Sequence, residues 1–151
     1  MKAFLAVALV ALTGCTYGAP SATSGVSAAG TMTIDVSLTA HAATAIGAGI
    51  SGGYAPPMQQ VPVGTRIQFV NSDSFAHTAS LVAVATSFPA SSPLGASALT
   101  PSGTALSASW SSGNLAAGTS SPVFVADTPG TYLYGCFYHY GAPMRGAIVV
   151  R

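Results

Sequence analysis

Short alternating stretches of apolar and polar residues, separated by turn signals, run through most of the chain. In Thr31–Leu38 the side chains of Met32, Ile34, Val36 and Leu38 fall on one face and Thr33, Asp35 and Ser37 on the other. That period of two predicts a half-buried strand. Gln59–Val63 reads as a short edge strand that tolerates Pro62. Gly64 turns the chain into Thr65–Asn71, a strong strand with Ile67 and Phe69 inward. After a loop at Ser72–Ala76, a strand runs from His77 through Val84. Trp110–Leu115 and Pro122–Ala126 are further short segments, and Pro129–Gly130 is a turn. Thr131–Cys136 places Tyr132, Tyr134 and Cys136 on one face, and Gly146–Val150 closes the chain as a last strand.

Two stretches resist assignment. Thr39–Pro57 is rich in Ala and Gly. Ala85–Ser109 is rich in Ser, Ala and Pro, and reads as a long loop with one helical turn near Leu94–Leu99. With about seven to eight strands, regular turns and no long helix, the pattern predicts an all-β, antiparallel two-sheet sandwich.

The N-terminus follows a different rule. Lys2 precedes the apolar run Ala3–Leu12, which is too short to span a bilayer and ends at Leu12-Thr13-Gly14-Cys15. This resembles the cleavage and lipidation signal of bacterial lipoproteins. Residues 1–14 are therefore expected to be removed and Cys15 to carry a lipid. An ordinary secretory signal cut elsewhere is the plainer alternative. Residues 15–30 are small and polar, as in a flexible tether, and the folded domain is expected over 31–151. Such a protein would face the periplasm or the cell exterior, held at the membrane by its anchor.

Charge narrows the partners. Only 5 % of residues are charged, against about 25 % in typical soluble proteins. Without the leader, Arg66, Arg145 and Arg151 balance Asp35, Asp73 and Asp127, and no Lys remains. Nucleic acid, which needs clustered cations, is excluded as a partner. Strong electrostatic steering toward a charged partner is not expected either. A monomer is expected.

With Cys15 lipidated, Cys136 is the only remaining thiol, and an unpaired Cys in an exported protein calls for a reason. The loop after the Thr131–Cys136 strand supplies one: Cys136-Phe137-Tyr138-His139-Tyr140-Gly141-Ala142-Pro143-Met144. Cys, His and Met share one turn between two strands, and His77 lies upstream at the end of another strand and loop. Taken singly, each residue has an ordinary explanation in core packing or at the surface. Together, a thiolate, two imidazoles and a weak thioether make the ligand set of a blue-copper electron-transfer site.

These residues resemble the cupredoxin family, in particular its plastocyanin and pseudoazurin branches. The resemblance rests on C-x-x-H-x-x-x-x-M at Cys136, His139 and Met144, on the strand Pro129–Cys136, on the closing strand Gly146–Val150, and on Val61–Asn71 with His77 after it. It implies a Greek-key β-sandwich holding one copper ion through His77, Cys136, His139 and Met144. It also implies one-electron transfer with redox proteins as partners, through an apolar collar of Tyr140, Gly141, Ala142 and Pro143 around His139. A copper storage, sensing or delivery module is the alternative. Too few further His residues are present for the additional coppers of copper oxidases, so an enzyme is not expected. His41 is read as a solvated loop residue without a role.

The sequence departs from the family pattern at three places. Tyr138 stands where plastocyanin has Pro, so its N–H is free to reach the Cys136 sulfur. Thr78 follows the first His, where Asn is frequent. Ala85–Ser109 matches no family pattern.

Overall fold

The computed structural model describes residues 30–151. The leader, Cys15 and most of the tether lie outside the described residues. Two sheets face each other. One contains β1 (Thr31–Val36), β4 (Tyr54–Ala55), β6 (Arg66–Asn71) and β10 (Phe124–Val125), in the order β10-β6-β1-β4. The other is built from β5 (Met58–Val61), β7 (Ser80–Val84), β8 (Pro101–Ser102), β9 (Ser111–Ser112), β11 (Gly130–Gly135) and β12 (Arg145–Val150), in the order β5-β12-β11-β7-β9-β8. The strands β2 (Thr44–Ile46) and β3 (Gly49–Ser51) form a separate antiparallel pair.

The period-two faces read from the sequence are the faces that meet. Ile34 and Val36 of β1 and Ile67 and Phe69 of β6 are fully buried, opposite Tyr132 and Tyr134 of β11 and Ile148 of β12. Phe69 stacks on Trp110 at 5.8 Å between centroids and meets Tyr134 edge-on at 5.2 Å. Burying one such aromatic ring contributes roughly 1.5–3 kcal/mol, so this cluster is the main brace between the sheets.

The structure corrects the expected antiparallel arrangement at two pairs. β1 runs parallel to β6 over its whole length, and β5 runs parallel to β12. Periodicity reports which face of a strand is buried, not the direction of its neighbour. Parallel neighbours need a long crossover, and the route from β1 to β6 provides it by passing through β5 in the opposite sheet.

Of the twelve strands among the described residues, six have only two or three residues. Those six are the ones that the pattern left unresolved or blurred. The Ala/Gly-rich stretch contains β2, β3 and β4. Ala48, between β2 and β3, packs with Leu133 and Ala147 in a second small core, against which Ile46, Val82 and Phe88 also pack. This covers the outer face of the six-stranded sheet at its centre and explains why β11 is buried on both faces. The helical turn expected near Leu94–Leu99 is a 3-10 turn at Ala96–Leu99. β5 sits at the edge of its sheet, with Pro62 just past its end.

Candidate metal centre

Two segments at one end of the sandwich carry the candidate ligands. The first is the loop between β6 and β7. Asn71, the last residue of β6, donates through its side-chain amide to the carbonyls of Phe75 at 2.8 Å and Leu115 at 2.9 Å. Its Oδ1 accepts the N–H of Asp73 at 2.9 Å. His77 is then fixed by reciprocal backbone bonds with Leu115, at 3.1 and 2.8 Å. The second segment joins β11 to β12. Cys136 N–H donates to Met144 O at 3.0 Å, and both Ala142 and Met144 N–H groups donate to His139 O, at 2.9 and 3.1 Å. The loop is thus closed on itself, with Cys136, His139 and Met144 inside the closure.

These segments bring the predicted residues together. Cys136 Sγ lies 3.8 Å from His77 Nδ1 and 3.6 Å from His139 Nδ1. The three donor atoms all lie within 4.8 Å of one another. Bonds of about 2.0–2.3 Å to one shared ion place neighbouring donors roughly 3.3–3.9 Å apart, so the two sulfur–nitrogen spacings suit a single metal ion. Met144 is fully buried in the same core cluster as Cys136. Its room depends on Gly53, whose φ of +71° disfavours a side chain and where a Cβ would sit 2.5 Å from Met144 Cγ. His77 and Cys136 are also fully buried, whereas His139 is half-buried. A thiolate, a thioether and two imidazoles are soft and borderline donors, and they fit copper.

The surroundings prepare the donors. Thr78 N–H donates to the Cys136 sulfur at 3.4 Å. The second N–H···S bond that Tyr138 left open is not formed among the described residues. Thr78 Oγ1 instead accepts the N–H of Phe137 at 2.9 Å and ties the two ligand segments together. Behind His77, Asp73 Oδ2 lies 3.2 Å from Nε2. Burial acts to raise the Asp73 pKa, but hydrogen bonds from Ser74 N–H, His77 and Thr39 outweigh it and hold the carboxyl well below its usual range. Burial lowers the His77 pKa, with His139 adding to the effect and Asp73 partly opposing it. His77 is therefore held neutral, the form in which an imidazole binds metal.

The collar expected from the sequence needs correction. Tyr140 is buried and points away from the surface: its hydroxyl donates to Pro89 O at 3.0 Å and its ring lies 4.9 Å from the Arg145 guanidinium. Phe88 covers the same guanidinium at 5.2 Å, so the segment with no family pattern grips the ligand loop here. The residues beside His139 are Phe75, at 5.7 Å between centroids and 39 % exposed, and Tyr138, at 6.0 Å and 47 % exposed. Gly141 and Ala142 are exposed and Pro143 is half-buried. Phe75 was missed because its loop carries no apolar period. Asp73 was missed although a carboxylate four residues before a ligand His is a usable signal. His41 is not simply solvated: its Nε2 lies 2.5 Å from Asp35 Oδ2, which also accepts the Ser72 hydroxyl.

Comparison with known proteins agrees with this geometry. The profile of the family described as copper binding proteins, plastocyanin/azurin family, matches residues 40–151. No curated protein sequence matches the chain significantly. Among solved structures, a purple cupredoxin from Nitrosopumilus maritimus aligns with a TM-score of 0.51 at 22 % identity, over 80 % of this chain and 99 % of that one. A reduced Cu(I) form of an amicyanin mutant aligns with a TM-score of 0.51 at 19 % identity, over 82 % of this chain and 85 % of that one. At these identities the likeness shows the fold.

Proposed function

Since the chain belongs to the plastocyanin/azurin family of copper binding proteins, we propose that it carries single electrons between extracytoplasmic redox partners, using one copper ion held by His77, Cys136, His139 and Met144. The observation that carries this reading is the convergence of His77 Nδ1, Cys136 Sγ and His139 Nδ1 within 4.8 Å on two segments locked to each other. A bound copper ion supplies the one-electron couple.

The chain's own residues supply the rest. Cys136 offers a thiolate whose sulfur already takes one hydrogen bond, from Thr78. His77 and Met144 are fully buried, and close packing in a protein interior restrains such side chains. The donor set therefore stays in place as the charge at its centre changes, which favours fast transfer. His139 is the only one of the four within reach of the surface. Phe75 and Tyr138 lie beside it, and with the nearby loop residues Ala142 and Pro143 they offer a partner a neutral contact. A lipid on Cys15, with residues 15–30 as tether, would keep the domain near membrane-bound partners; the tether enters at Thr31, which pairs with Arg66 at the end of β6 away from the site. No enzymatic role is proposed.

The visible absorption spectrum of the purified Cu(II) form tests the reading. An intense thiolate-to-copper band and rapid, reversible reduction and reoxidation are expected. Copper bound without that band, or lost quickly to a chelator, would replace electron transfer with storage or delivery.

A further inference from the structure

Building on the copper-centre reading above, we propose that Asp73 is a positioning residue for His77. Its buried carboxylate keeps the His77 proton on Nε2, so that Nδ1 faces the metal, and its negative charge strengthens His77 as a donor and favours the oxidised ion.

The geometry separates the two nitrogens of His77. Nδ1 faces Cys136 Sγ at 3.8 Å, while Nε2 faces Asp73 Oδ2 at 3.2 Å. Both side chains are out of water, at 0 % and 2 % exposure. An acceptor-only group on Nε2 requires the proton there, which leaves the Nδ1 lone pair for a metal. Asp73 is itself held rigidly. Thr39 donates to it through N–H at 3.2 Å and through its hydroxyl at 3.0 Å, and Ser74 N–H donates at 2.9 Å. Among the described residues neither Lys nor Arg pairs with Asp73, so no salt bridge cancels its charge. His139 has nothing equivalent: among the described residues no carboxylate or carbonyl meets its Nε2. The two imidazoles are therefore unequal donors. A carboxylate hydrogen-bonded to a ligand His raises its basicity, and losing such a partner typically costs about 10–100-fold in metal affinity.

The test is Asp73→Asn in the full chain. Asn keeps the size and one acceptor oxygen but removes the charge. Cu(II) affinity is expected to fall about 10-fold relative to Cu(I). For a one-electron couple that is a rise of about 59 mV in reduction potential. A Cu(II)/Cu(I) affinity ratio unchanged within about twofold, or shifted the other way, overturns the charge effect. The second measurement needs no variant. Nitrogen-15 NMR of the unaltered Cu(I)-loaded protein should show His77 protonated at Nε2, with that proton exchanging slowly. Protonation at Nδ1, with Nε2 toward the metal, overturns the positioning role. If the chain binds no copper, the copper-centre reading fails, and the same spectrum of the metal-free chain still decides which nitrogen of His77 holds the proton beside Asp73.

Discussion

Phe137 donates its backbone N–H to the hydroxyl oxygen of Thr78 at 2.9 Å, and through this bond the residue after one candidate ligand is fastened to the residue after another. His77 and Cys136 are far apart in sequence, yet their immediate neighbours are joined directly. Thr78 also gives its own N–H to the Cys136 sulfur. One residue thus steadies both the thiolate and the loop that presents it.

Replacing Thr78 with Val keeps the shape and removes the acceptor. The Phe137 N–H then loses its partner, at a cost of about 1–3 kcal/mol. Thermal unfolding should show that loss, while Thr78→Ser should restore most of it. The thiolate band should survive in both, because the Thr78 N–H is untouched. A Thr78→Val protein as stable as the parent would show that the link between the segments carries no energy.

The four candidate ligands should differ in rank. Cys136→Ala removes the only described thiol and should abolish the Cu(II) colour even where some copper still binds. His77→Ala should weaken copper binding and admit added imidazole. Met144→Leu removes only the weak thioether, so the colour should remain and the reduction potential should rise. Visible spectra and potentials of the three variants check the order, and a coloured Cys136→Ala protein would contradict it.

Partner association should depend weakly on salt. Arg66, Arg145 and Arg151 balance the three Asp residues, and the rim around His139 is uncharged, so little Coulombic attraction is available to screen. Electron-transfer rates with a partner should change little between low and high ionic strength. Phe75→Asp, which places a charge on the rim, should slow transfer. A steep loss of rate with salt in the unaltered protein would point to a charged docking patch instead.

Stability should fall in acid partly through Asp127. Hydrogen bonds from the Ser107 side chain and N–H lower its pKa in the folded state. A depressed carboxyl contributes stability above its unfolded pKa and loses it as pH drops through the folded one. Asp127→Asn should therefore lower stability at neutral pH and flatten the acid side of the curve, the two proteins converging as pH falls through the folded-state pKa. Denaturant unfolding from neutral to acid pH measures this, and parallel curves for the two proteins would rule it out.

The proposed lipidation signal at Leu12–Cys15 makes a direct demand on Cys15. Cys15→Ser should move the protein from the membrane fraction to the soluble one, as read by fractionation and mass. A parent protein already soluble and without added lipid mass would refute the anchor.

The long alternating strands and the ligand loop were legible in the sequence because both depend on local order. Ile67 and Phe69 announce themselves by alternation, and Cys136 and His139 by sharing one short loop within a family-like frame. What stayed hidden depends on contacts between distant segments. The parallel partners of β1 and β5 leave no trace in periodicity. The hairpin of β2 and β3 is built from small residues whose burial comes from Leu133 and Ala147 of another sheet. Tyr140 looked like a surface aromatic beside His139, but Pro89 and Arg145 draw it inward. Asp73 had the right spacing from His77, yet only the fold shows that both are shut away from water.

The parallel pairing of β5 with β12 bears on how the protein comes into being. β12 fits between β11 and the much earlier β5, which forms the edge of that sheet, and the ligand loop stands directly before β12. Neither Cys136 nor Met144 can meet His77 until the chain has been made past β11. Pairings of such long sequence separation fold slowly, on the order of milliseconds to seconds. Metal acquisition thereby waits on β12: a chain cut short before it would lack the strand that seats the loop.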